Sequence, residues 1–121
     1  MKLRIRGNTL RLRLTRGEID RLAQEGHVAD SISFGPGSLT YAIQIAEEPA
    51  LRAAYQGALI EVTLPRALAQ GWLTSEQVGI AGEQPVDGGQ ALRILVEKDF
   101  ACLKARDGED DTDAFPHPAA G

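Results

Sequence analysis

The sequence predicts a mainly β protein with two short helices, in which internally duplicated β-β-α-β-β units form one compact barrel-like or sandwich core. Three observations predict this fold. Apolar and polar residues alternate in several stretches, turn and capping residues separate those stretches, and the whole pattern repeats after 50 residues. The 121 residues suffice for one domain, and with only 5% aromatic residues its core must consist mainly of aliphatic side chains.

The first predicted element is a β-hairpin over residues 2–14. Polar and apolar residues alternate on both sides of Gly7-Asn8, and this dipeptide suits a two-residue type II′ turn. The turn sets a register in which Ile5 faces Leu10 on the core side of the sheet.

A short helix follows, and then two more strands. Thr15 and Glu18 have the spacing of a capping box, and Gly26 suits the C-terminal cap, so the helix should have about ten residues. Alternation over residues 28–34 and 39–45 predicts two further strands, which complete the first unit.

The second unit repeats this order at the same offset. Its predicted elements are a hairpin over 51–64, a helical segment over 66–72, a strand from 78, a loop over 83–90 and a closing strand over 92–96. That loop is about three residues longer than its counterpart in the first unit. In this alignment Val28 corresponds to Val78 and Leu22 to Trp72, which is therefore expected in the core. Each unit is too short to bury enough surface alone, so the two must share one core.

The chain is expected to form a single duplicated domain followed by a tail. The domain covers residues 1–103, with halves 1–46 and 51–98. Residues 104–121 are acidic and contain prolines, which is typical of an extended C-terminal tail.

Positive charge is concentrated in the first hairpin. Its register places Arg4 opposite Arg11, and Lys2 opposite Arg13, on the face away from the core. Because like charges directly opposite each other weaken strand pairing, something anionic is expected to cover this face. The candidate anion- or partner-binding residues are Lys2, Arg4, Arg6, Arg11 and Arg13.

Negative charge is concentrated at the other end of the chain. The tail residues that could cover the basic face are Asp107, Glu109, Asp110, Asp111 and Asp113. Four occupants of that face stay open: solvent, the tail of the same or a neighbouring chain, a nucleic-acid phosphate backbone, and a charged protein partner. A net charge of −4 disfavours nucleic acid. The predicted function is a small, non-catalytic binding or accessory module whose basic hairpin face is covered by its own acidic tail or by an anionic partner.

No catalytic or cofactor-binding motif occurs in the sequence, so neither an enzyme nor a bound cofactor is predicted. His27 and Cys102 could form a base–nucleophile pair, but no spacing places them together. The single cysteine excludes an internal disulfide framework and a multi-cysteine zinc site. No metal site is predicted; a metal-binding accessory role would depend on Asp99, Cys102, His117 and other tail residues.

Localisation is predicted from the distribution of apolar residues. No stretch approaches the length of a transmembrane helix, and the first residues lack the apolar region of a signal peptide. We therefore expect a cytoplasmic protein without a membrane partner, either a monomer or a homodimer.

Parts of the sequence resemble two known families. Residues 59–68, Leu-Ile-Glu-Val-Thr-Leu-Pro-Arg-Ala-Leu, and loosely also residues 12–16, resemble the swapped-hairpin (AbrB-like) family of bacterial regulators and antitoxins. This resemblance implies two copies interleaved in a small barrel and an alternative function in DNA binding through arginines. Residues 96–103 and 115–118, with the pattern EKDFxCL … FPxP, are similar to a small family of uncharacterised bacterial proteins, which implies no activity.

Overall fold

A computed structural model describes residues 1–100 of the chain and confirms the predicted fold class. The strands are β1 (Lys2–Arg6), β2 (Thr9–Leu14), β3 (His27–Ser33), β4 (Ser38–Ala46), β5 (Arg52–Gln56), β6 (Leu59–Pro65), β7 (Gly79–Pro85) and β8 (Ala91–Lys98). The helices are α1 (Arg16–Glu25) and α2 (Arg66–Leu73), and a short 3₁₀ turn spans Asp87–Gly89.

The strands form two four-stranded sheets that pack face to face. Sheet A has the order β1-β2-β8-β7, and sheet B has the order β3-β4-β6-β5. Each sheet therefore takes one hairpin from each half of the sequence, and a central parallel pair joins the two hairpins. Of the two predicted alternatives, the described residues form the sandwich, and the sheets do not close into the barrel that the resemblance implied.

The pairing registers confirm the internal repeat. Leu12 lies opposite Val96 in the parallel pair β2–β8, and Val62 lies opposite Ile43 in the equivalent pair β6–β4. The second hairpin and β4 thus occupy the same places relative to each other as the first hairpin and the closing strand β8. The molecule has an approximate two-fold relation that exchanges the sheets.

One predicted equivalence is wrong. Val28 faces Ile43 across β3–β4, and the residue that faces Val96 across β7–β8 is Ile80. Val78 lies outside β7 and is exposed, because two extra residues precede β7 in the connection from α2. The β7–β8 loop is accordingly only one residue longer than the β3–β4 loop, and Glu83 belongs to the strand.

Local sequence accounts for the turns and helix ends. Gly7 has a φ of 56° and is the only residue of its two-residue turn with a positive φ, as a type II′ turn requires. Thr15 and Glu18 form the predicted capping box, and Gly26 ends α1 in the left-handed conformation. In the second unit Pro65 precedes α2 without a side-chain cap.

A single hydrophobic core lies between the sheets. Leu22 on α1 and its counterpart Trp72 on α2 are both fully buried, which confirms the predicted role of the tryptophan. The indole Nε1 of Trp72 donates to the carbonyl of Val78 at 3.0 Å, so its polar atom is satisfied as a buried tryptophan requires.

The sandwich has two ends of different construction. The turn end carries the four hairpin connections, residues 7–8, 34–37, 57–58 and 86–90. The opposite helix end carries α1, α2 and the two ends of the described chain, Met1 and Phe100. Neither helix within residues 1–100 has the length and apolar character needed to cross a membrane.

Candidate functional site

The outer surface of sheet A, which we call the basic face, presents every second residue of its four strands. Cross-strand pairing arranges these residues in three rows. The rows are Lys2–Arg13–Glu97–Gly79, Arg4–Arg11–Leu95–Ala81, and Arg6–Thr9–Arg93–Glu83. Six basic side chains thus share a surface with two carboxylates, and the predicted opposition of the basic residues of β1 and β2 is confirmed.

Glu97 on β8 is the central acid of this face. Its Oε1 lies 3.2 Å from the Nε of Arg11 and 3.6 Å from the Nε of Arg13. The Glu97 side chain is only 18% exposed, so these contacts are screened less by water than a surface ion pair would be. The Nε of Arg11 is buried, but its approach to Glu97 does not have the angle of a hydrogen bond. The acid therefore reduces the repulsion between the two arginines through charge rather than through directed bonds.

A glycine makes room for that acid. Gly79 stands opposite Glu97 on β7, and a Cβ at this position would lie 2.7 Å from both the Cγ of Glu97 and the carbonyl oxygen of Val96. Since the second of these atoms is backbone, a side chain at position 79 would displace β8. The close approach requires glycine.

Asp99, which follows β8, pairs with a basic residue at one edge of the basic face. Asp99 lies 3.1 Å from the ammonium of Lys2, and its backbone N–H donates to the carbonyl of Leu14 at 2.8 Å. At the other edge, Arg93 and Glu83 are 3.9 Å apart and both are exposed. The described chain therefore leaves sheet A beside the first residue of β1, where the carboxylate of Asp99 contacts the ammonium of Lys2.

Arg4 and Arg6 are the uncovered part of the face. Both side chains are exposed on the edge strand β1, and within residues 1–100 neither forms an ion pair or a side-chain hydrogen bond. They lie on the turn side of Lys2, beyond the region that Asp99 reaches.

A polar cluster joins the N-terminus to α1 and β3 at the helix end. The Met1 ammonium contacts carboxylate oxygens of Glu18 and Asp30, and the Tyr41 hydroxyl donates to the Met1 carbonyl at 3.4 Å. Burial lowers the pKa of the Met1 amine, but the hydrogen bonds and charges of the two carboxylates outweigh burial and raise it above 8.0. Burial raises the pKa of Glu18, yet the N-terminal ammonium and the backbone of Thr15 hold it below 4.5.

The residues considered for metal binding or catalysis are not brought together in the described part of the chain. Asp99 is paired with Lys2, and residues 1–100 contain no group of three potential metal ligands. His27 begins the edge strand β3 and is exposed. Cys102, His117 and the tail acids of 107–113 lie outside the described residues, so their predicted roles stay predictions.

Sequence reasoning missed Arg93 and Glu97 as members of this face. Alternation along β8 directs both outward, because the apolar residues at 92, 94 and 96 face the core. That pattern is readable from the sequence. What is not readable is that β8 pairs with β2, which places both residues beside the arginines of the first hairpin.

A protein-family model matches most of the chain. It covers residues 1–119, which include the basic face and the tail acids. The chain belongs to DUF7009, a family of unknown function. No curated protein and no solved structure matches the chain. Membership in DUF7009 is therefore consistent with the predicted uncharacterised family, while the resemblance of residues 59–68 to AbrB-like regulators rests on the sequence alone.

Proposed function

We propose that this chain is a non-catalytic binding module whose basic face binds an extended acidic polypeptide, which in the resting state is its own residues 107–113. A stronger anionic partner displaces that segment. The observation that carries the proposal is the uneven cover of the basic face: Glu97 and Asp99 already pair with basic residues, while Arg4 and Arg6 have no acidic partner within residues 1–100.

The direction of the chain supports this assignment. Asp99 is paired with Lys2 at the helix end of β1, and Phe100 follows it. The tail acids come 7 to 13 residues after Phe100. When extended, a chain of that length can span the 20 Å or so of a β-strand, so these acids can reach Arg4 and Arg6 from the place where the described chain ends.

The spacing of the charges supports it as well. Basic residues recur at every second position of β1, and every second residue from 107 to 113 is acidic: Asp107, Glu109, Asp111 and Asp113. In an extended segment these four carboxylates lie on one side, about 6.6 Å apart. That is the spacing of the basic side chains along β1.

The experiment is a comparison of two charge-neutralised full-length chains on a heparin column at low salt. The first replaces the tail acids by their amides (D107N, E109Q, D110N, D111N and D113N). The control replaces five acids that form no ion pair within residues 1–100 (D20N, E25Q, E61Q, E76Q and D87N), so both variants gain the same net charge. We expect the tail variant to be retained more strongly than the control, and we expect Arg4→Gln with Arg6→Gln to abolish the gain. Equal retention of the two variants would reject the proposal.

The DNA-binding alternative uses the same face and predicts a different observable. Arginine forks also bind phosphate pairs, so the tail-neutralised chain would bind short duplex DNA with an affinity that falls steeply with salt. If neither the unchanged chain nor the tail-neutralised chain shifts the DNA band in a gel-shift assay at low salt, this alternative is removed.

The metal-binding alternative depends on Cys102 and predicts that Cys102→Ser weakens binding in a transition-metal titration. Within residues 1–100 nothing supports it.

A further inference from the structure

An apolar groove opens between the two sheets at the turn end. It has a volume of about 350 Å³ and is lined mainly by apolar side chains. Ile5 and Leu92 come from sheet A, and Tyr55 and Ile60 come from sheet B. Ile5 and Tyr55 occupy equivalent positions of the two hairpins, so the groove lies on the approximate two-fold relation of the molecule.

Two of the large apolar residues that line this groove are mostly exposed. Ile5 is 62% exposed and Tyr55 is 73% exposed. Phe34 and Val86, in the β3–β4 and β7–β8 connections of the same end, are also exposed but do not line the groove. Large exposed apolar side chains at a concavity mark an interaction site.

We propose that residues 114–118, Ala-Phe-Pro-His-Pro, dock in this groove with Phe115 between Ile5 and Tyr55. The inference extends the proposed function, because the same tail would then be held at two places, by its carboxylates on the basic face and by its apolar residues at the turn end. The segment is the tail's cluster of large apolar and proline residues that follows the acidic run.

The length of the tail permits this placement. Phe100 lies at the helix end, and Phe115 follows it by 15 residues, which span up to about 50 Å when extended. The eight-residue strand β8 that separates the two ends is about 26 Å long. The excess length allows the acidic residues to cross the basic face on the way.

The chemistry of the segment fits the groove. Proline restricts its own φ and disfavours helical backbone at the preceding residue, so Pro116 and Pro118 would favour an extended backbone at Phe115 and His117 in the proposed complex. A preorganised segment loses less conformational entropy on binding. Proline-rich extended segments bind grooves with aromatic side chains, and Tyr55 supplies one here.

Charge complementarity sets the direction of binding. Ile5 is flanked on β1 by Arg4 and Arg6, which are free of acidic partners within residues 1–100. Asp113 precedes Phe115 by two residues. With Phe115 in the groove, Asp113 is therefore close enough along the chain for its carboxylate to contact one of these two arginines.

The first test is disulfide formation in full-length chains that carry Cys102→Ser. One variant adds Asn8→Cys and Ala114→Cys, and the matched control adds Gln56→Cys and Ala114→Cys, so Phe115 and Tyr55 stay in place. Asn8 lines the groove and Gln56 does not, while both are exposed at the turn end, so an undocked tail would reach both positions about equally. We expect the Asn8 pair to close roughly tenfold faster than the control, because docking raises the effective concentration of the two thiols.

Equal closure rates would overturn the proposal, and so would disulfides mainly between chains, which would show that a second copy supplies the tail. A second test avoids engineered cysteines. Phe115→Ala in the otherwise unchanged chain should shift the methyl resonances of Ile5 and Ile60 in NMR spectra, while that of buried Ile80 stays in place. Unmoved Ile5 and Ile60 resonances overturn the groove assignment even where the heparin comparison supports the basic face, so the two proposals fail separately.

Discussion

The outer faces of the two sheets have equivalent backbones and different chemistry. Where sheet A carries Arg4 and Arg11, the equivalent positions of sheet B carry Ala54 and Glu61. Sheet B presents mostly alanine, serine and threonine, and its pair Gln44–Thr63 is joined by a neutral hydrogen bond of 3.2 Å. One architecture thus supports a strongly basic surface and a nearly neutral one.

The interior shows the opposite relation. Most equivalent positions of the two halves stay apolar where they face the other sheet, with Asp30 and Gln84 on the edge strands β3 and β7 as exceptions. Both helices contribute one fully buried anchor, Leu22 and Trp72. The fold therefore constrains what lies between the sheets and leaves the outer faces free. A surface whose charges repel one another is not required by the fold, and for this reason the proposed function uses the basic face.

The largest expected effect tests the equivalence of the interiors. Trp72→Ala should destabilise the protein by about 3–5 kcal/mol, and Leu22→Ala by about 2–5 kcal/mol, since each leaves a cavity in the same core. Urea unfolding followed by circular dichroism measures both. Because the sheets share hairpins from both halves, each variant should unfold in one transition. Two separate transitions would show that the halves unfold independently and would contradict a shared core.

A smaller effect concerns the helix starts, where the halves differ. Glu18 caps α1 and contacts the Met1 amine, whereas its counterpart on α2 is the exposed Leu68. Glu18→Gln keeps an acceptor for the capping box but removes the charge that faces the Met1 amine at the start of α1, and it should cost about 1 kcal/mol, measured by urea unfolding at neutral pH.

The same substitution should change the pH dependence of stability. The Met1 amine has its pKa raised above 8.0, so its contribution is complete below pH 8.0 and is lost as the pH rises through the raised value. The pKa of Glu18 is lowered, so its contribution is present above pH 4.5 and is lost as the pH falls through the lowered value. Thermal unfolding as a function of pH should show both losses in the wild type and weaker ones in Glu18→Gln. Unchanged losses would contradict the assignment.

The smallest effect on stability sharpens the contrast between the outer faces. Glu97→Gln removes the acid between Arg11 and Arg13 and should change the free energy of unfolding by less than about 1 kcal/mol. Its retention on heparin should nevertheless increase. The control Glu61→Gln makes the same charge change on sheet B and should leave retention nearly unchanged; an equal increase would indicate that net charge alone decides.

Local features of this molecule could be predicted from the sequence. The register of the first hairpin, the capping box of Thr15 and Glu18, and the core position of Trp72 are all observed as predicted. Each depends on residues that are close in the chain or on a repeat that is visible in it. The residues that determine these three features are therefore visible in the local sequence pattern or in its repeat.

Features that depend on distant pairing could not be predicted. Nothing in the sequence of β8 specifies β2 as its partner, so Arg93 and Glu97 were absent from the predicted face. Alternation also directed Ile5 toward the core, but the residue lies at the turn end, where the sheets no longer cover each other, and it is mostly exposed. Whether Ile5 is buried depends on how far the opposite sheet extends, and the alternation within one strand does not contain this information.

The central pairing of sheet A joins the second strand of the chain to the last strand within residues 1–100. During synthesis, the nascent chain must therefore hold its first hairpin without a neighbour until residues 91–98 have left the ribosome. Contacts between such distant segments form slowly because closing the intervening chain costs entropy. The arginines of the waiting hairpin repel one another until Glu97 arrives, so β8 brings the charge that reduces this repulsion.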